Sequence, residues 1–315
     1  MARHALARLA VLAATFWVIV TAAFFLMRIA PGGPFDGERR LPPEIETNLR
    51  AAYHLDEPLP RQYLRYLGML VRGDLGPSFK QKDFDVNELI GAGLPVSGTI
   101  GGIAFAFAST VGIAIGTAAA RRRDRRTDAW LMGGAALGLA LPSFVVAPIL
   151  ALFFGVRLRW LPTAGWGSAA NVVLPALALA LPFIAAIARL TRGSVLEAMA
   201  APFVVTARSK GLSETRVLLR HVLPNALAPV LSFLGPAAAA MLAGSVVIEQ
   251  VFALPGMGRY FVQGALNRDY TLVMGAIVVY SLAILSFNWL VDVAYARLDP
   301  RVGARRAALQ VAAKR

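Results

Sequence analysis

The sequence predicts an all-α polytopic membrane protein with six transmembrane helices and a polar cap between the first and the second. Three observations carry this. Of 315 residues, 57% are hydrophobic and 16% are charged, against about 25% charged in ordinary soluble domains. Six apolar stretches reach the roughly 20 residues a helix needs to cross about 30 Å of hydrocarbon. The basic residues behind the net charge of +14 gather in alternate links, so the excess reads as membrane orientation, not as a nucleic-acid footprint.

Span one lies near residues 9 to 29, and residues 1–30 form the N-terminal transmembrane helix. Arg3 and Arg8 precede it, as in a secretory signal, but the apolar run reaches Met27. That exceeds the roughly 7 to 15 residues of a signal h-region, so the segment reads as a retained anchor. Residues 31–95 follow as an extracytoplasmic cap; with ten acids and eight bases over 30–95 it is near neutral. Between Pro60 and Val71, Tyr63, Leu64, Leu67 and Leu70 recur at helical spacing. Spans two to six lie near 96–120, 129–155, 172–190, 226–248 and 271–295. Together they make a transmembrane core, 96–300, closed by a tail, 301–315.

Orientation follows from the short links. Arg121, Arg122, Arg123, Arg125 and Arg126 fill the link after span two, and Arg189, Arg192, Arg208, Lys210, Arg216 and Arg220 follow span four. With both termini included, nineteen of the 32 basic residues fall on that side. The opposite short links hold only Arg157, Arg159, Arg259 and Arg268. Positive loops stay inside, so both termini are predicted to be cytoplasmic. Trp160 and Trp166 border an outer link, where amphipathic rings suit the membrane boundary.

Gly112 with Gly116 in span two, and Gly134 with Gly138 in span three, place small residues one turn apart, as close helix packing in lipid requires. Pro142 and Pro148, Pro175 and Pro182, and Pro229 and Pro236 predict kinks in spans three, four and five. Spans two and three carry no ionisable residue, and Arg28, Arg189, Glu249 and Asp292 sit near span ends. A proton-coupled carrier needs a titratable chain inside the membrane, so an outside energy source is expected.

Other chemistries fall away on composition. With no cysteine there is no disulfide or thiolate site. His4, His54 and His221 are too far apart for a helical metal pair. None of Lys80, Lys82, Lys210 and Lys314 follows a glycine, as a phosphate-binding P-loop lysine must. No nucleophile–base constellation suggests a membrane-embedded enzyme.

The most informative stretch is the inner link Gly193 to Pro224, far longer than the roughly 2 to 8 residues that join packed helices. It reads as two short helices around a corner at Gly211, which can take the left-handed conformation that ends a helix. Arg208 and Lys210 would complement the carbonyl end of the first helix. Ser213 would cap the second, and Pro224 would end it before span five. Such an elbow, joined to two spans, is suited to receive a push from a cytoplasmic partner.

This elbow resembles the EAA loop of ATP-binding-cassette importer permeases. Aligned on Gly211, Ala207, Gly211, Leu223 and Pro224 match that pattern, while Val205, Thr206 and His221 depart from it. Thr206-Ala207-Arg208-Ser209-Lys210-Gly211-Leu212 is similar to the form found in the peptide-importer branch. Further stretches resemble the B-type membrane subunit of oligopeptide and dipeptide importers in the same order. They are Tyr53 to Asp56, Gly73 to Lys80, Pro142 to Pro148, Ala188 to Ser194, Gly264 to Tyr270 and Leu298 to Arg301.

The resemblance implies a type I ABC importer permease fold in the inner membrane. It also implies a second permease as heterodimer partner, two cytoplasmic ATP-binding subunits, an extracytoplasmic peptide-binding protein and no nucleic acid. ATP and Mg would be bound by the partner ATPases, leaving this chain without a cofactor or catalytic residue. Thr206, Ala207, Arg208, Lys210, Gly211, Leu223 and Pro224 are the expected ATPase-coupling residues, with Arg208 and Lys210 as polar contacts and Ala207 and Gly211 in close packing. A dipeptide, nickel-complex or other small-solute importer is the nearer alternative, and an ion-coupled carrier the more distant one.

Overall fold

The computed structural model describes residues 2–29, 33, 42–81 and 84–298. The tail 301–315 and the Asp299 to Arg301 end of the closing motif lie outside the described residues, as does the Asp292 side chain. The described residues form helices α1 (Ala2–Ile29), α2 (Pro43–Ala52), α3 (Leu59–Val71), α4 (Val86–Arg121), α5 (Arg126–Ala140), α6 (Ser143–Leu150), α7 (Ala170–Met199), α8 (Pro202–Ser209), α9 (Glu214–Val217), α10 (Leu223–Val251), α11 (Met257–Leu266) and α12 (Tyr270–Leu298). Two π-helical turns, Ala151–Arg157 and Leu218–Val222, extend α6 and link α9 to α10. The chain divides into two compact units, residues 1–98 with 253–285, and 99–252 with 286–315.

Five of the six expected spans are long apolar helices, and the third is broken. Span three was expected to be kinked; instead α5 and the helix Ser143–Arg157 meet at 103°. The cause is local. Pro142 cannot donate a backbone hydrogen bond, and it drives the preceding Leu141 out of the helical region to φ −92°, ψ 118°. The prolines of α7 and α10 are accommodated inside continuous helices instead.

In the unit 99–252 with 286–315, α7 is the hub against which α5, α6 and α10 pack. Its buried positions are largely small, including Ala178, Ala180, Ala185 and Ala188, so neighbouring backbones can approach. Gly112 and Gly116 of α4 exploit this. A Cβ on Gly112 would lie 2.8 Å from Ile187, and one on Gly116 2.6 Å from the Thr191 Cβ. Of the second small-residue pair, Gly138 meets Ala185, but Gly134 has nothing within 4 Å. Glu249 on α10 is completely buried, so within this chain it lines no open passage.

In the unit 1–98 with 253–285, Val20 and Phe24 of α1 share a core with Val86, Leu89 and Ile90 of α4, Met257 of α11 and Leu272 of α12. Helix α4 thus begins about ten residues before the expected span, on an apolar stripe that faces this core. Tyr63, Leu67 and Leu70 of α3 pack against the same core; Leu64, expected on that face, is exposed. Arg28 does more than reach for the membrane surface: its guanidinium lies 3.6 Å over the Phe24 ring, and its Nε donates to Gln62 Oε1 at 3.0 Å.

A buried carboxylate ties this unit together. Asp269, 1% exposed, accepts hydrogen bonds from the Ser78 hydroxyl, from the backbone N–H groups of Phe79 (3.2 Å) and Lys80 (3.4 Å), from the Thr271 hydroxyl (2.9 Å) and from Leu272 N–H (3.2 Å). It therefore caps the start of α12 and holds segment 78–80 onto it.

Candidate functional site

The elbow is built from α8, a four-residue corner and the helical run that begins at Glu214. Helix α7 continues to Met199, so Gly193 lies within it and the connection proper begins at Ala200. Pro202 starts α8, where a missing N–H costs nothing, and Ala201 before it is extended. Gly211 stands at φ +76°. Its N–H donates to Arg208 O at 2.9 Å, and Leu212 N–H donates to Ala207 O at 3.4 Å. This pair of bonds is the Schellman closure of a helix end. A Cβ on Gly211 would meet nothing within 4 Å, so glycine is required there by backbone conformation alone.

After the corner, Ser213 occupies the N-cap position but makes no side-chain capping bond. Pro224 does not end the second helix, contrary to expectation: Glu214–Val251 runs as one helical length. The π-helical turn explains this. Leu223 N–H bonds Leu218 O, five residues back, and the wider turn leaves room for the proline ring at the first turn of α10.

The seven expected coupling residues divide by environment. Ala207 is buried among Val195, Val204, Val217, Leu218 and Val222, and Leu223 packs on the same cluster. This small core fixes the corner to α7 and α10. Thr206, Arg208, Lys210, Gly211 and Pro224 are exposed, and the Thr206 hydroxyl donates to Pro202 O at 3.3 Å. Val205 and Leu219 also expose apolar surface here, at 63% and 55%.

Arg208 is not a free cation. Its Nε and a terminal nitrogen donate to the two carboxylate oxygens of Glu214 at 2.8 and 3.0 Å, a bidentate fork across the corner. The Glu214 carboxylate in turn raises the Arg208 pKa above its usual value, chiefly through these hydrogen bonds. A depression of about 190 Å³ lies beside the pair, bordered by Arg121, Met199, Val217, Leu218 and Val222. Lys210, the other expected polar contact, ends α8 and is exposed.

Sequence reasoning missed two partners. Glu214 lies six residues after Arg208, a spacing that puts no two side chains together on a single helix; only the turn at Gly211 brings them face to face. Asp128 accepts from Arg192 at 2.7 and 2.6 Å, tying α5 to α7. In the sequence Arg192 reads as an orienting charge and as part of the Ala188 to Ser194 stretch, and neither points to Asp128.

Residues 112–304 match the family described as binding-protein-dependent transport system inner membrane component. That stretch spans more than half of the chain, including the elbow. The chain belongs to this family.

As an inner membrane component it has close curated relatives along nearly its full length. It is 49% identical over 290 residues to the oligopeptide transport system permease protein OppB of Haemophilus influenzae, covering 91% of this chain and 95% of that one. It is 47% identical over 290 residues to OppB of Escherichia coli, with the same coverage. To the dipeptide transport system permease protein DppB of Bacillus subtilis it is 43% identical over 302 residues, 96% of this chain and 98% of that one. Among solved structures it is similar to an inward-facing conformation of the MetNI methionine ABC transporter, with TM-score 0.58, 14% identity and coverage of 67% of this chain and 96% of that chain. An amino acid ABC transporter gives TM-score 0.52 at 18% identity, covering 67% and 94%. At these identities the likeness concerns the fold, and the fold is that of the type I ABC importer permeases. The inner membrane component is thus a multi-pass membrane protein, as its apolar helices require.

Proposed function

We propose that this chain is a permease subunit of an ATP-driven importer that carries oligopeptides handed over by an extracytoplasmic binding protein. The near half identity to OppB proteins over nine tenths of the chain carries this reading. It would pair with a second permease and with two cytoplasmic ATP-binding subunits, which hold the ATP and Mg. Both termini would be cytoplasmic, on the side of the arginine-rich links. The DppB relatives favour a second reading, dipeptide import. The two separate in a strain lacking the chain: oligopeptide uptake lost with dipeptide uptake kept supports the first, and the reverse pattern replaces it with the second.

In this mechanism the exposed residues of the elbow, Thr206, Arg208, Lys210, Gly211 and Pro224, face the ATPase. The buried Ala207 and the half-buried Leu223 make the corner move as one piece with α10. ATP-driven closure of the ATPases would push the corner, and the continuous helix from Glu214 to Val251 would convey that push across the membrane.

The Gly211→Leu variant tests the corner. A β-carbon in the left-handed region costs roughly 1 to 2 kcal/mol, while the open space around Gly211 spares the surrounding packing. Uptake is expected to fall several-fold with membrane insertion unchanged, and Gly211→Asn, which tolerates this conformation, should retain most of it. Equal uptake by wild type and Gly211→Leu, measured with labelled peptide in whole cells, would remove the corner from the mechanism.

A further inference from the structure

The link between α4 and α5 carries Arg121, Arg122, Arg123, Arg125 and Arg126, all exposed. Its two carboxylates are already engaged: Asp124 pairs with Arg123 at 3.2 Å and Asp128 with Arg192 at 2.6 Å. Among the described residues no carboxylate lies within ion-pair distance of Arg122, Arg125 or Arg126. Arg125 and Arg126 border an open cleft of about 520 Å³, whose other walls are Ala129, Met132 and the paired Asp124, Asp128 and Arg192. One turn beyond Arg126 stands Trp130, 81% exposed. The next turns of that stripe offer Gly133 and Gly134, where a Cβ would meet nothing within 4 Å, and then the exposed Leu137.

Cations at the mouth of an apolar stripe, with a tryptophan between them, match a phospholipid in both of its parts. Trp rings settle at the level of the headgroups, which sets the three unpaired guanidiniums at phosphate depth. Basic pockets beside transmembrane helices bind anionic headgroups, and guanidinium takes phosphate in a two-pronged fork. A water-facing protein partner would account for the arginines but not for the exposed Trp130, and a second permease packed on this helix would cover Trp130 but leave three cations at the water boundary without a counter-charge.

We propose that the α4–α5 link is a binding site for an anionic phospholipid, its headgroup held by Arg122, Arg125 and Arg126 and an acyl chain lying along Trp130, Gly133, Gly134 and Leu137. The site orders the link and shields its charge, and it stands independently of what the transporter carries.

The test is lipid retention by the chain purified in mild detergent with its accompanying subunits, read by native mass spectrometry after exchange into mixed phosphatidylglycerol and phosphatidylethanolamine. Wild type is expected to hold phosphatidylglycerol preferentially, and added inorganic phosphate at millimolar concentration should not displace it, since a free anion lacks the acyl chain. The triple variant Arg122→Gln, Arg125→Gln, Arg126→Gln should lose apparent affinity by about fivefold per arginine, on the order of a hundredfold in all. The triple Arg→Lys variant, which keeps the topology-setting charge, should retain the preference, and Arg157→Gln with Arg159→Gln should leave it unchanged. Equal retention of the two lipids by wild type overturns the proposal, and needs no variant to do so. Displacement by phosphate alone reassigns the site to a free anion. Loss of an accompanying protein subunit from the Gln variant, with its lipids intact, assigns the arginines to that protein.

Discussion

Asp269→Ala should destabilise the inner membrane component by about 3 kcal/mol or more. Five donors converge on this buried carboxylate, from Ser78, Phe79, Lys80, Thr271 and Leu272; Thr271 also reaches Pro77 O at 2.7 Å and Lys80 N–H the Ser78 hydroxyl oxygen at 3.3 Å, so the loss falls chiefly on Ser78, Phe79 and Leu272. Each buried donor left without an acceptor costs roughly 1 to 3 kcal/mol, and segment 78–80 can regain water only by leaving α12. Thermal unfolding of the detergent-solubilised protein should move down by on the order of 5 to 10 °C. Proteolysis should then open first between Gly73 and Gln81. Asp269→Asn keeps the shape and one acceptor oxygen, so an intermediate loss is expected. If both variants unfold with the wild type, segment 78–80 is held by the packing of Phe79 against Tyr53 and Tyr270, not by the carboxylate.

The second large effect is expected at the pair that ties α5 to α7. Asp128→Ala leaves the Arg192 side chain, 29% exposed, without its counter-charge. The pair is part-buried and borders an open cleft, so breaking it from one side costs about 1.5 to 3 kcal/mol, the worth of hydrogen bonds to a charged group. Removing both charges, in Asp128→Leu with Arg192→Leu, should restore most of that, because two apolar side chains impose no uncompensated charge. Asp128→Ala also makes the link more positive, so the loss cannot be blamed on inverted topology. The fraction recovered as a monodisperse folded species in mild detergent reads the effect. Equal losses in the single and the double variant would show that packing alone joins the two helices there.

Much of this architecture was legible because it depends on neighbours in sequence. The long spans follow from apolar runs, and Gly211 from the demand of a helix end for a positive φ. Pro142 announced a disturbance in span three, but not one of 103°: the proline forbids the helical conformation at Leu141, and the angle then depends on what α5 and α6 pack against. The early start of α4 was hidden by Asn87, Glu88, Gly91 and Gly93, though Val86, Leu89 and Ile90 already held the period of a buried face.

What was not legible depends on partners far apart. The stretches Gly73 to Lys80 and Gly264 to Tyr270 each stood out, yet nothing in either says that Ser78 and Asp269 meet across 191 positions. The partner of Arg208 was hidden for a related reason, since Glu214 comes into reach only after the corner has formed.

The π-helical turn between α9 and α10 has a consequence for how the chain tolerates change. Such a turn spends one more residue than an α-turn on nearly the same climb. Leu218–Val222 thus takes up one residue of chain without turning α10 out of phase with the elbow. Delete a single residue there and the helix can close into ordinary α-turns with the 29 residues of α10 facing nearly as before, whereas a deletion inside α10 itself would rotate everything beyond it by about 100°. The cost of closing the turn falls on Pro224, whose ring then meets the carbonyl four residues back. Between Val217 and Leu223 the chain therefore holds one residue of slack that the rest of this long helix lacks.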